Sequence, residues 1–298
     1  MEAAHWARLR PIDALLPEPA PLPEPGAADA MLVVDGAAGL ARRQQPDLGD
    51  LAATWGALDQ RWLFARAAGP RPLARLLVRW REYLASDGPP ADDSSLVLPW
   101  PSRDVPLTKV FLAHGLYPDS VIAVRPAGRP EAPAAVPAGV RIRPAAAADL
   151  ASVVALYMEQ IRFGAQMSGI TERPTTAGLI RERYGALLAT DPSWVWVAER
   201  DGELVGLASV AVGERAAWIA PLVAATPIVY VDCISVAADH RGGGVAAALI
   251  RHLHAAVDQA GVAVTVLHYA ALNPLAAPFW HRSGYRPLST RWQLTPAR

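Results

Sequence analysis

"HRGGGVAAALIRHLH", His240 to His254, puts three glycines directly before a run with the apolar spacing of a helix. Glycine in that place costs backbone entropy. The chain must gain something in return: positive φ, close approach to the backbone, or bare N–H groups at a helix N-terminus. Upstream, "PIVYVDCISV" reads as a buried strand ending near Val236. Strand, glycine turn and helix together make an anion site, because the first helical amides lack partners and the helix dipole favours negative charge there. A flexible turn without a ligand is the other reading of three glycines.

The pattern extends outward from this turn. "VRIRPA" reads as a strand, "ADLASVVALYMEQIRFGA" and "TAGLIRERYGALLAT" as helices, and "SWVWVAERDGELVGLASVAV" as a hairpin turning at Asp201-Gly202. After the opening stretch come a strand in "VAVTVLHYA", a short helix in "NPLAAPFWHRSG" and a last strand in "YRPLSTRWQL". The order β-α-α-β-β-β-α-β-α-β implies an α/β fold of the α+β type, a mixed sheet with helices on both faces.

Two segments share a signature. "DCISVAADHRGGGVAAALI" resembles the pyrophosphate-binding segment of the GNAT superfamily of acyl-CoA-dependent acyltransferases, with Arg241, Gly244 and Ala246 at its pattern positions. The family's second signature follows in Asn273, Ala276, Phe279, Trp280, Gly284 and Tyr285. The resemblance runs from Val140 to about Leu294. It implies acetyl-CoA or another acyl-CoA as co-substrate, with no metal. The amides of Arg241, Gly242, Gly243, Gly244, Val245 and Ala246 would hold the pyrophosphate. The main chain of Ile234, Ser235 and Val236 would meet the pantetheine arm where two strands splay apart. Asn273, Phe279 and Trp280 would face the cofactor from the other side. The implied reaction is direct attack of an amine on the thioester, with the Val236 N–H as oxyanion donor.

Asp232 is the candidate proton acceptor. A carboxylate in an apolar strand is costly unless paired or functional, so a buried Asp satisfied by backbone or by an arginine is the alternative. On parity it is expected to share a face with Ile234 and Val236, opposite Cys233. Tyr157, Trp218 and Tyr230 are the acceptor-side candidates. Trp280 stands where the family usually has a tyrosine that protonates the thiolate. Indole donates a hydrogen bond but is no acid, which leaves His281, Tyr285 or water for that step, or a step that needs no dedicated acid.

The first half reads as a second, altered copy, with chance similarity of two α/β segments as the other reading. "DVPLTKVFLAHGLYP" parallels "NPLAAPFWHRSGYRP", aligning Asp104, Phe111, Gly115 and Pro118 with Asn273, Trp280, Gly284 and Pro287. The helix "PLARLLVRWREYLA" parallels "VAAALIRHLHAAV". Where the second copy has its glycine turn, the first has "ARAAGPRP", and Pro70 and Pro72 lack N–H groups. Asp104 would repel phosphate but suits a helix N-cap. The expectation is two tandem GNAT-like domains, each a mixed, mostly antiparallel sheet: a degenerate domain with a Pro-rich arm over 1–125, a linker over 126–139 and a catalytic domain over 140–298.

Composition sets the outer limits. The 298 residues suit about two domains. With 28 basic and 28 acidic residues the formal charge is zero, which gives no basic platform for nucleic acid. One cysteine excludes a disulfide within the chain, and no apolar run suits a bilayer. A cytoplasmic address and a small-molecule amine acceptor are expected, with no nucleic-acid or membrane partner. A non-catalytic acyl-CoA sensor and an acetyltransferase for protein or peptide N-termini are the other readings.

Overall fold

The computed structural model describes residues 2–86, 90–129 and 135–297. In chain order the elements are α1 (Glu2–Leu9), β1 (Ala30–Val34), β2 (Ala37–Gln44), β3 (Asp59–Ala67), α2 (Pro70–Ala85), β4 (Ser94–Pro101), α3 (Thr108–Ala113) and β5 (Tyr117–Pro126). The second half continues with β6 (Val140–Pro144), α4 (Leu150–Ala165), α5 (Thr176–Thr190), β7 (Val195–Arg200), β8 (Glu203–Ala211) and β9 (Ile228–Val236). It closes with α6 (Val245–Gln259), β10 (Val264–Ala270), α7 (Ala276–Arg282) and β11 (Arg286–Leu294). The linker expected over 126–139 lies partly outside the described residues.

All eleven strands form one sheet, in the order β1-β2-β3-β4-β11-β5-β10-β9-β8-β7-β6. This corrects the expectation of a separate sheet in each half. The last strands are exchanged: β11 pairs with β4 of the first half, and β5 pairs with β10 of the second. β5 and β11 then pair with each other at the centre. Local periodicity could not reveal this, because either strand offers the same alternating faces to either neighbour.

The register is repeated across that centre. Ala37 faces Ala67 as Gly206 faces Val236, and β3–β4 and β9–β10 are both parallel pairs. Gly115 and Gly284 both follow a short helix in left-handed conformation, at φ 76° and 87°. The next amides, of Leu116 and Tyr285, reach back to the carbonyls of Phe111 and Trp280.

Helix α6 turns Val245, Leu249, Leu253 and Val257 onto Val229 and Val231 of β9. The helix lies close to the sheet: a Cβ on Gly206 would come within 2.8 Å of Leu249 Cδ1. On the other face α4 and α5 bury Tyr157, Ile161, Ile180 and Tyr184 against Val197, Leu207 and Cys233. In the first half α2 buries Leu73, Leu76, Leu77 and Trp80. Burying each such side chain stabilises the fold by about 1.5–3 kcal/mol.

The halves are also tied outside the sheet. Arg173, between α4 and α5, donates to the carbonyls of Ala53 and Gly56 and pairs with Asp93 at 2.7 Å. Asp13 pairs with Arg286 at 2.8 Å, and Leu16 is buried beside Ile219 and Val223. Among the described residues no helix is long and apolar enough to cross a membrane, and no cluster of three or more His, Cys, Asp or Glu side chains is placed to hold a metal.

Candidate active site

β9 and β10 pair only from Ile228–Val264 to Val231–Leu267. Beyond that point they part. The Ala237 N–H donates to the Val205 carbonyl, so odd-numbered amides at this end of β9 point to β8. The amides of Ile234 and Val236 therefore point into the opening. The Ser235 side chain is committed elsewhere, donating to the Leu156 carbonyl at 2.7 Å.

The turn at the end of β9 needs its glycines for conformation. Gly242 and Gly244 have φ of 77° and 83°, and a Cβ at Gly242 would meet nothing within 4 Å. Gly244 is the N-cap of α6, and no side chain caps that helix. The first helical bond runs from the Ala248 N–H to the Gly244 carbonyl, which leaves the Val245, Ala246 and Ala247 amides at the bare helix end. Arg241 does not reach over this surface. Its Nε donates to the Val236 carbonyl at 3.0 Å, its Nη2 pairs with Glu159 at 2.7 Å, and its guanidinium lies 4.7 Å from the Phe163 ring centre. It ties the turn to β9 and α4.

Across the opening, Asn273 Oδ1 accepts from the Leu275 and Ala276 amides at 3.0 and 3.2 Å. Its carbonyl end thus holds the turn that leads into α7. Trp280 is buried between Phe279 and Tyr285, with ring centres 4.8 and 5.2 Å away. The Tyr285 hydroxyl lies 3.0 Å from His254 Nε2, in the core. Burial, then Arg125 and Arg251, push His254 down to about 3. His281 is exposed, with Nε2 3.4 Å from the Tyr269 hydroxyl.

A bulge changes the parity expected for Asp232. Ser209 of β8 faces Cys233 and the next residue, Val210, faces Val231, so Asp232 has no partner on β8. The alternation resets there. Asp232 and Cys233 both face α4 and α5, whereas Ile234 and Val236 pack on the α6 side. Asp232 accepts from Arg183 Nη2 at 2.8 Å and from the Tyr184 hydroxyl at 2.9 Å. Tyr184 also lies 2.6 Å from Ser209 Oγ. Burial, reinforced by the nearby Asp232 charge, pushes the Tyr184 phenol well up, so it stays a neutral donor. Tyr157 is fully buried against Tyr184, with ring centres 5.4 Å apart, and serves packing here.

Beside Asp232 lies a cavity of about 200 Å³ lined by Arg183, Leu187, Thr190, Ser209, Arg215 and Asp232. Tyr230 and Trp218 meet on the same face, ring centres 5.0 Å apart. Both also touch His268: the Trp218 ring is stacked on it at 5.8 Å, and the Tyr230 hydroxyl lies 3.2 Å from its Nδ1. Burial, then Arg291, lower His268 to about 4, which keeps it neutral near pH 7.

Asp232 and Val236 thus lie on the part of β9 beyond its pairing with β10, the glycine turn follows the end of β9 and Asn273 follows β10, while Tyr230 stands in the last paired stretch with Trp218 against it. Sequence reasoning missed Arg183, Tyr184, Ser209 and His268 as neighbours of these residues. Nothing in the helix "TAGLIRERYGALLAT" pairs its Arg-Tyr step with an Asp 49 residues away.

The opening has a counterpart in the first half. β3 and β4 pair only as far as Trp62–Val97. The Ala68 N–H donates to Gly36, as Ala237 does to Val205, which makes Ala67 the counterpart of Val236. The Ala67 N–H donates to His5 Nδ1 at 3.3 Å, and Arg8 Nη2 donates to the Ala67 carbonyl at 3.4 Å. Burial lowers His5 to about 4, which leaves its ring neutral and able to accept. Asp104 makes no N-cap bond. It is buried against Arg8 and accepts from Trp100 Nε1 at 2.7 Å, because α1 brings it a cation.

Residues 191–287 match the model of the acetyltransferase (GNAT) domain family. No curated protein matches the chain. Among solved structures, a GCN5-related N-acetyltransferase from Sphaerobacter thermophilus superposes with a TM-score of 0.56 at 16% identity, covering 88% of this chain and 78% of that one. A GNAT-family acetyltransferase from Colwellia psychrerythraea superposes with a TM-score of 0.50 at 13% identity, covering 86% and 80%. Residues 191–287 are therefore similar to a GNAT acetyltransferase domain, and the chain shares its fold with solved proteins of that kind.

Proposed function

We propose that this protein transfers an acyl group, acetyl by default, from a CoA thioester to the amine of a small molecule, at the opening between β9 and β10. The observation that carries the reading is the parting of the two strands after Val231 and Leu267, with an uncapped helix behind a glycine turn at one end. Unpaired strand amides suit an amide-bearing arm, and a bare helix N-terminus suits a pyrophosphate. In this reading the Val236 N–H donates to the oxygen on which charge builds as the amine attacks. Asp232 takes the amine's proton through water, with Arg183 and Tyr184 fixing its carboxylate. His281, exposed and beside Tyr269, is the candidate to protonate the thiolate, since the Tyr285 hydroxyl is turned to His254.

The first half serves as a degenerate tandem copy. Its opening is filled by α1, and Pro70 and Pro72 at the start of α2 remove amides that a pyrophosphate would need. One acyl-CoA per chain follows. Calorimetric titration of the full chain with acetyl-CoA, followed by an assay of CoA release with a panel of amines, tests both parts. Saturation at two per chain would sink the account of the first half. Binding without release for any amine would favour an acyl-CoA sensor.

A further inference from the structure

Trp218 belongs to the irregular segment between β8 and β9, where short 3-10 turns run over Gly213–Ala216 and Ala220–Leu222. Its neighbours Ala216 and Ile219 are buried, yet Trp218 itself is 56% exposed. An indole normally gains from burial. Here the backbone is anchored on both sides while the ring lies nearly parallel to His268, at an interplanar angle of 18°. Tyr230 closes the set edge-on at 69°. Among the described residues no guanidinium covers the Trp218 ring.

The location matters as much as the exposure. His268 directly follows Leu267, the last residue of β10 paired with β9, and Tyr230 directly precedes that residue's partner, Val231. The aromatic set therefore begins where the opening begins, on the face that carries Asp232.

We infer that Trp218, backed by His268 and Tyr230, is the platform on which the acceptor lies, and that the acceptor is a primary amine carried on a flat aromatic body. The inference rests on the acyl-transfer reading above. An amine nitrogen at the opening places its substituent beside the Trp218 ring, and a flat ring gains there by offset stacking as well as by burial. The neutral imidazole beneath adds no charge of its own to the platform, which suits an apolar ring.

The test uses the full chain, acetyl-CoA and three amines: 2-phenylethylamine, the equally bulky but non-aromatic 2-cyclohexylethylamine, and butylamine. We expect kcat/KM for 2-phenylethylamine to exceed that for butylamine about 10-fold or more, with 2-cyclohexylethylamine between them. Trp218→Ala should raise KM for the aryl amine about 10-fold and KM for butylamine by a smaller factor, so that the ratio between the two amines shrinks. Trp218→Phe should restore most of the preference. Equal use of the three amines by the native chain, or an aryl preference that survives Trp218→Ala, would overturn the inference. If no amine releases CoA, the transfer reading fails. The platform is then read by calorimetry of 2-phenylethylamine with the CoA-bound chain, where the absence of Trp218-dependent heat overturns it separately.

Discussion

Asp232 shows how one residue out of register can define a site. The bulge opposite Ser209 and Val210 leaves Asp232 and Cys233 on one face, and on that face Arg183 and Tyr184 of α5 hold both Asp232 oxygens. Such a group can either move a proton or only hold Arg183 in place, and kinetics separates the two. Asp232→Asn keeps the size and removes the charge. It should lower kcat by about 10²-fold while acetyl-CoA affinity is unchanged. An unchanged kcat across the pH range would leave Asp232 an anchor for Arg183. At the turn, Gly244 sits at φ 83°, where a β-branched side chain costs roughly 1–2 kcal/mol. Gly244→Val should fold and lose acetyl-CoA binding, because both the backbone path and the access to the α6 amides change. Native affinity by calorimetry would mean that these glycines serve the turn alone.

Helix α1 matters at the scale of elements because it occupies a place that its sequence does not announce. "EAAHWARL" offers about two turns, and the docking of His5 and Arg8 at Ala67, with Arg8 paired to Asp104, gives it a role. The His5 ring is 3% exposed and its pKa is lowered from 6.5 to about 4. Above pH 6.5 both folded and unfolded chains hold it neutral, so its contribution is fully present. As pH falls from 6.5 toward 4, the unfolded chain takes up a proton that the folded chain refuses, and stability drops by roughly 3 kcal/mol in total. His5→Gln keeps an acceptor for the Ala67 N–H and does not titrate. Its Tm should fall less than that of the native chain between pH 7 and pH 4, and parallel curves would show that α1 docks without this linkage. The same contrast shows what was legible in the sequence. The Asp201-Gly202 hairpin, β9, α6 and the paired signatures around Gly115 and Gly284 carry local chemistry, and the structure has them where the pattern puts them. Strand β3 and helix α1 lack a local signature. The Arg183–Asp232 pair and the Trp218–His268 stack depend on contacts between distant segments, which periodicity does not encode.

The exchange of β5 and β11 joins the two halves in one continuous sheet. β10 takes its outer partner from residues 120–126, and β11 lies between β4 and β5, both from the first half. Further ties come from Asp13 with Arg286, and from Leu15, whose carbonyl accepts from Ala224 in the segment that carries Trp218. A fragment from Val140 to Arg298 would lose all of these at once. The free edge of β10 would then present an unpaired row of backbone groups, and β11 would lose both neighbours. One remedy is for β11 to fold back beside β10, in the place of β5, whose register it repeats. The other is for two fragments to exchange β11 as the two halves of the native chain do, since the same strand then pairs with the same edge in a second molecule. The second route keeps the native connection from α7 to β11, so we expect the fragment to run as a dimer or larger species and to be poorly soluble. It should also release CoA more slowly than the full chain, because the Trp218 segment has lost its contact with Leu15. Light scattering coupled to size-exclusion chromatography reads the first outcome and a CoA-release assay the second. A soluble monomer with full activity would show that the second half closes its own sheet and that the first half contributes nothing to the site.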